Sequence, residues 1–458
     1  MKTVSVYNTA KRIKEVLKPI NGGEVGIYSC GPTVYSSPHI GNMYAYVVWD
    51  ILVRSLRYLN YQVKWVVNIT DVGHLVNDSN SGEDKMEKGS RLTGLSAWDL
   101  AKKYEAEFVD NLDKLNIVHP DVLPRATDNI PEQIELVKKI EERGFTYKIS
   151  DGIYFDTSKM ESYGDFANID IEKLREGARV EANEEKRNPT DFALCKFSPN
   201  DGTVRQMEWE SPWGKGFPGW HIECTAMSTK FLGNPFDIHT GGEDHINIHH
   251  TNEIAQGYGA FGAQTANVWM HNAFITFNGA KISKSTGGLY TVFDLIEMGH
   301  DPLAYRYMVL SSHYRKGMAF SIDSLKASEV ALHKIQGFAI GDRGNIIEEY
   351  KNQFETKLSD DLAMPEVLAL VWKMIKDEKF SEVDRRATLI DWDRVLGLSF
   401  GIEKVEKTAP GEVTKLADDR LKAKNDKNWA EADRLRGEIE KLGYIVEDKV
   451  GGYNLKQL

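Results

Sequence analysis

Cysteine is scarce in this chain: three thiols among 458 residues are too few for a disulfide framework in a protein of this length. No window offers the roughly 18 uninterrupted apolar residues that a membrane helix needs. The opening Met1-Lys-Thr-Val-Ser-Val6 lacks the apolar core of a signal peptide. Together these absences lead us to expect a cytoplasmic protein with no membrane partner. A positive charge balance is missing too: the net of −11 argues against indiscriminate coating of nucleic acid, while leaving room for a local basic track. No internal repeat is visible. What is present, 41% apolar and 27% charged residues over 458 positions, suits two to four globular domains with a substantial core.

The stretch Gly26-Ile-Tyr-Ser-Cys-Gly-Pro-Thr-Val-Tyr-Ser-Ser-Pro-His-Ile-Gly-Asn42 organises the rest. Apolar positions lead to Cys30, Gly31 and Pro32 stop them, and an amphipathic run through Tyr44, Val47, Val48, Ile51 and Leu52 follows Gly41. That pattern reads as strand, loop, helix. A helix N-terminus carries unpaired N–H groups and partial positive charge, and Ser36, Ser37 and Gly41 let a polyphosphate approach it, with His39 beside the ligand. The β-branched run 63–69 ends at Thr70-Asp71 and completes a βαβ unit, which places Cys30, Thr70 and Asp71 on the ligand-binding rim of a parallel sheet.

From about 121 to 235 the alternation lapses, as it does for an insertion. It resumes in Phe236-Asp-Ile-His239, capped by Thr240-Gly-Gly-Glu-Asp244, and in a strand over 268–274. Lys281-Ile-Ser-Lys-Ser285 lies on a loop flanked by Gly279, Gly287 and Gly288. Beyond Asp301-Pro302 the periodicity is helical over 303–311, 325–336, 365–377, 413–424 and 429–442, and a hairpin is expected over 444–453. Two weaker expectations complete the reading: an amphipathic segment over 10–17, and a solvated loop over the polar residues 72–91.

Taken together, Pro38-His-Ile-Gly-Asn42 and Lys281-Ile-Ser-Lys-Ser285 resemble the two signatures of class I aminoacyl-tRNA synthetases. With Cys30, Gly219-Trp-His-Ile-Glu-Cys224 and His249-His-Thr-Asn-Glu253, the chain resembles the cysteinyl-tRNA synthetases along nearly its whole length. The fold implied is α/β: a Rossmann-type parallel-sheet domain (1–120 and 236–275) split by a connective insertion (121–235). A stem-contact region (276–320), a helical bundle (321–403) and an α+β anticodon module (404–458) follow.

His249 and Glu253, four apart on a helix, share a face. With the thiolates of Cys30 and Cys224 they can complete a tetrahedral zinc site. Taken alone, two scattered cysteines and a His/Glu pair carry little weight; it is the resemblance that implies zinc at all four. The implied reaction activates L-cysteine with ATP and Mg2+ to cysteinyl-adenylate and pyrophosphate, then transfers cysteine to the terminal ribose of its tRNA. Catalytic roles fall to His39, Asn42, Lys281 and Lys284, and ATP contacts to Pro38, His39, Gly41, Asn42, Gly241, Gly242, Asp244, Lys281, Ser283 and Lys284. The cysteine pocket is expected to use Thr70 and Trp220, a structural role for Trp220 staying open.

The anticodon is assigned to Trp429, Asp433 and Asp448, with Trp429 as a small-core anchor left as the alternative. Two departures stand out: Asn42 replaces a second histidine, and Cys195 occupies a position where the family pattern has tryptophan, its role that of a small buried residue. A monomer is expected. The competing readings are a ligase that delivers cysteine to an amino sugar, a non-catalytic tRNA-binding paralogue, and a small nucleotidyltransferase.

Overall fold

The chain opens with a hairpin, β1 (Ser5–Asn8) and β2 (Ile13–Val16), paired antiparallel from Ser5–Val16 to Asn8–Ile13. The amphipathic segment expected over 10–17 is therefore an edge strand, with Val6 turned into the core while Ile13 and Val16 stay exposed. In the computed structural model, residues 2–73, 84–168, 184–198, 205–277, 280–281, 290–402, 410–449 and 452–457 are described. They divide into two compact units, Met1–Gly401 and Ile402–Leu458.

In the first unit, β3 (Glu24–Ser29) leads through the organising loop to α1 (Ile40–Tyr58) and back to β4 (Gln62–Val67), which runs parallel to β3. Residues 85–91 of the loop expected over 72–91 belong to a helix instead: α2 (Lys85–Thr93) starts on the Asp84 side chain, which accepts from Met86 N and Glu87 N, and stops at Gly94 with φ +74°. Its signals are local, a capping aspartate and a left-handed glycine, and the polar composition between them obscured the one buried anchor, Met86. Next comes α3 (Ala97–Lys114).

The insertion holds α4 (Ile130–Glu142), β5 (Thr146–Ile149), β6 (Gly152–Phe155), β7 (Phe192–Phe197), β8 (Trp209–Ser211) and β9 (Gly214–Pro218). Its strands make an antiparallel sheet in the order β5-β6-β7-β9-β8, over a separate core that contains Cys195. Helix α5 (Trp220–Leu232) returns the chain to β10 (Phe236–Gly242). A π-helical turn over Ile246–His250 then runs into α6 (Thr251–Phe261), followed by β11 (Ala266–Asn272).

The parallel sheet has the order β11-β10-β3-β4. Strand order reverses between β3 and β10, so the crevice beyond their C-terminal ends is where an open α/β sheet receives its ligand. Strands β12 (Ile275–Phe277), β13 (Ala280–Lys281) and β14 (Met318–Phe320) form a small sheet. Around it and after it lie α7 (Val292–Glu297), α8 (Pro302–Leu310), α9 (Ile322–Phe338), α10 (Glu348–Leu358), α11 (Met364–Ile375) and α12 (Glu382–Leu396). One core runs from Ile27 and Trp49 to Tyr305 and Trp392, so the helices after residue 300 pack on the nucleotide fold. Fully buried Arg306 pins this junction, donating to Asp50 of α1 and to the carbonyls of Leu115, Asn116 and Leu396.

The second unit is α13 (Gly411–Asn425), α14 (Trp429–Lys441) and the hairpin β15 (Tyr444–Lys449) with β16 (Gly452–Gln457). Its small core is Val413, Ala417, Ile439, Tyr444 and Val446.

Candidate active site and metal centre

A cleft of about 390 Å³ opens at the β3/β10 switch point, within the range that holds a small-molecule ligand. Cys30, Pro38, His39, Gly41, Asn42, Thr70, Trp220, Cys224, Gly241, Gly242, Asp244 and His249 all line it. Backbone proximity explains two of the glycines. A Cβ on Gly31 would stand 1.4 Å from the Asn68 carbonyl, and one on Gly241 would meet the rings of His245 and His250 at 2.7 Å. Only glycine lets these loops close on the sheet.

The phosphate end is a capping box. Asn42 N donates to His39 Nδ1 at 3.2 Å, and His39 N donates to Asn42 Oδ1 at 3.2 Å. Because Nδ1 accepts, the neutral ring carries its proton on Nε2 and can donate from there. Ile40 N bonds to the Tyr290 carbonyl at 2.8 Å and His39 bridges to Thr291, which ties the start of α1 to the segment just after the lysine loop. The other side of that loop begins at β13, which ends in Lys281. Ser283 and Lys284 lie outside the described residues.

At the opposite end, ligand atoms of Cys30, Cys224, His249 and Glu253 fall within 4.8 Å of one another. A tetrahedral ion with bonds of about 2.0–2.3 Å spaces its donors roughly 3.3–3.8 Å apart. The π-helical turn, a feature often found at functional sites, brings His249 Nε2 to 3.1 Å from Glu253 Oε1. A second set, Cys30, His239, His250 and Glu253, is equally compact. The first set is the better metal site: it offers two sulfurs, and three of its members line the cleft, whereas His239 and His250 lie beneath it.

Electrostatics follow the same grouping. Burial alone would lower the His249 imidazole, but the Glu253 carboxylate and the Cys224 sulfur lift it to about 10. Burial would raise Glu253, yet His239 and His249 hold it well below the usual carboxylate range. The hydrogen bond from the Cys30 thiol outweighs burial and lowers Cys224, while burial and the facing Cys224 sulfur push Cys30 up. One thiolate, one carboxylate and one imidazolium leave a net charge of about −1, which a divalent cation that displaces the imidazolium proton would offset.

Sequence reasoning missed the layer beneath. His239 Nε2 is 2.9 Å from Glu253 Oε2 and its ring stacks on Trp269 at 4.6 Å. His221 Nδ1 meets His249 Nδ1 at 2.9 Å, and His250 reaches His271 at 2.7 Å, which bonds Thr9. These histidines come from four segments, so spacing could not group them. Thr70 Oγ1 donates to the buried Glu223 at 3.1 Å and accepts from Asn68. Asp71 sits at the end of β4 but turns from the cleft to Thr127, with its carboxyl raised to about 6 by burial. The Trp220 ring lies 4.8 Å from that of His249, tilted by 43°.

In the second unit Trp429 is 59% exposed at the start of α14 and takes no part in the core, which removes the small-core alternative. Asp433 is exposed on the same helix. Asp448 accepts from both Arg420 Nη atoms at 2.7 and 3.1 Å and from Lys424 at 2.6 Å.

Comparisons with known proteins follow the same division. Residues 16–330 match the class I (C) tRNA synthetase catalytic domain, and residues 408–453 match the cysteinyl-tRNA ligase anticodon-binding domain. Cysteine–tRNA ligase 1 of Burkholderia lata is 46% identical over 99% of this chain and 96% of its own. The cysteine–tRNA ligase of Treponema denticola is 39% identical over the full length of both. Among solved structures, Mycobacterium tuberculosis methionyl-tRNA synthetase with methionyl-adenylate superposes with a TM-score of 0.56 at 16% identity, over 82% of this chain and 90% of that one, which bears on fold alone.

Proposed function

This chain belongs to the cysteine–tRNA ligase family of class I synthetases, and from that premise we propose a division of labour within its cleft. The enzyme activates L-cysteine with ATP and charges tRNA(Cys). The carrying observation is that a sulfur-rich donor set and a phosphate-seeking helix N-terminus face one cavity.

The cysteine carboxylate attacks the α-phosphorus of ATP and pyrophosphate leaves, so no protein nucleophile is needed, and catalysis consists of positioning and charge neutralisation. His39 donates from Nε2 to phosphoryl oxygens. Asn42, its Oδ1 already committed to the capping box, offers its amide N–H groups. Lys281, Ser283 and Lys284 serve the leaving pyrophosphate, Mg2+ accompanying the ATP would offset charge on its phosphates, and Gly241, Gly242 and Asp244 bed the ribose.

The donor chemistry of Cys30, Cys224, His249 and Glu253 fits zinc, which prefers thiolate to hydroxyl and lowers the pKa of a thiol that reaches it. His221 orients the His249 ring through Nδ1 and His239 steadies the second Glu253 oxygen, while Thr70 and Trp220 wall the substrate side. In the transfer step the terminal 2′-hydroxyl of the tRNA attacks the adenylate carbonyl. Exposed Trp429 stacks on an anticodon base and Asp433 accepts from exocyclic amines, whereas Asp448 acts as the anchor of Arg420 and Lys424. We take the enzyme to work as a cytoplasmic monomer.

The amino-sugar ligase is not favoured, because the match over 408–453 and the full-length coverage call for a tRNA partner. Charging unfractionated tRNA with labelled cysteine, beside serine and with zinc quantified by mass spectrometry, tests the reading. Nuclease-sensitive cysteine label, serine at background and one zinc per chain are expected. Cysteine-dependent pyrophosphate release without RNA labelling would overturn it.

A further inference from the structure

The substrates bring an unusual load of negative charge: a triphosphate and a carboxylate must be pushed together. Yet among the described residues that line the cleft there is no arginine and a single lysine, Lys85. Its ammonium lies over the Tyr35 ring at 5.5 Å and over the Trp220 ring at 5.7 Å, and among the described residues no carboxylate pairs with it. Those two rings mark the two ends of the reaction. The Trp220 ring lies 4.8 Å from that of His249 in the candidate metal site, tilted by 43°, and Tyr35 belongs to the loop that leads to His39. A charge held between them stands where the thiol-anchored amino acid meets the α-phosphate.

The lysine is also held in register. It is the first residue of α2, and the capping Asp84 pairs in a buried ion pair with Arg205, whose guanidinium lies 3.5 Å from the Phe217 ring centre and bonds the Gly73 carbonyl. Gln206 clamps the same helix through Glu87 and Ser90. Phe217 is three residues before Trp220, so one structural block carries both the ammonium and one of the rings that flank it. Such bracing is out of proportion for a solvent-facing lysine.

We propose that Lys85 is a catalytic residue for amino-acid activation, its ammonium contacting the substrate carboxylate and the α-phosphoryl oxygens as they join. This rests on the function proposed above. A carboxylate oxygen bonds to the α-phosphorus, the bond from that phosphorus to the bridging oxygen breaks, and its electron pair leaves with pyrophosphate. Lys85 gives up no proton and offsets the charge crowded at the phosphorus, an effect confined to the transition state.

The test compares wild type, Lys85→Met and Lys85→Arg in cysteine-dependent ATP–pyrophosphate exchange, with thermal midpoint and zinc content as controls. Methionine keeps the packing between the rings and deletes the charge, so kcat should fall about 100-fold while KM for cysteine, zinc content and midpoint hold. Arginine should recover most of the loss, an outcome that packing alone does not give. Exchange by Lys85→Met within threefold of wild type overturns the proposal, as does intact exchange with slowed transfer from adenylate to tRNA, which would assign the charge to the RNA terminus. If Lys85→Met does not fold, a kcat loss of about 100-fold in a folded Lys85→Arg overturns it as well. Absence of exchange in wild type instead strikes the functional reading itself.

Discussion

His39 performs two tasks with two nitrogens. Nδ1 caps α1, which leaves Nε2 for the phosphate contact proposed above, so the tautomer is set by the fold rather than by the substrate. His39→Asn keeps a side chain able to cap and removes the donor at Nε2. Pyrophosphate exchange should drop by about 100-fold while the melting midpoint moves little. The three cysteines separate in the same way. Cys195 is buried in the insertion core, away from the cleft, and Cys224 faces Cys30 across the metal site. Cys195→Ala should leave zinc content and charging near wild type. Cys224→Ser should lose most of the zinc on mass spectrometry and, with it, the preference for cysteine over serine.

At the level of elements, the C-terminal hairpin depends on Asp448. Its hydrogen bonds and charge pairing with Arg420 and Lys424 hold the carboxyl well below the usual range. A carboxyl lowered on folding contributes stability that is present above its unfolded pKa of about 3.8 and is lost as pH falls through the folded value. Amide protection over residues 444–449 should therefore be flat from about pH 7 to 5 and decline below about 4, and Asp448→Asn should show the loss already at pH 7 by hydrogen exchange. Trp429 tests the first turn of α14. It is exposed, so Trp429→Ala should leave folding and pyrophosphate exchange unchanged while raising KM for tRNA by about tenfold, within the range for one lost base stack.

Across the first unit, the site is only as rigid as the junction beneath it. Arg306 and Asp50 are both fully buried and link α8 to the active-site helix α1 and to the ends of α3 and α12. Removing Arg306 leaves Asp50 with Arg54 as its charged partner and takes the buried guanidinium donors from the carbonyls of Leu115, Asn116 and Leu396, and such losses run to about 3–5 kcal/mol. Arg306→Met should lower stability by that amount in urea denaturation. Exchange activity should fall at temperatures well below the wild-type midpoint, because α1 carries His39 on its first turn.

Much of this was legible in the sequence because it is local. The loop after β3, the glycines that end β10, the spacing of His249 and Glu253 and the start of α14 are written in a few adjacent residues, and periodicity supplied the βαβ frame around them. Three things were not local. Helix α2 was hidden because a capping aspartate, one buried methionine and a terminal glycine are weak against a polar background. The histidine layer under the candidate metal site gathers from four segments, and the place of Lys85 depends on an ion pair from Asp84 to Arg205 across the insertion. By itself the sequence determined which donors and which phosphate loop exist. Tertiary structure alone decided what lies between them, since distance across a cleft depends on packing and strand order, not on spacing along the chain.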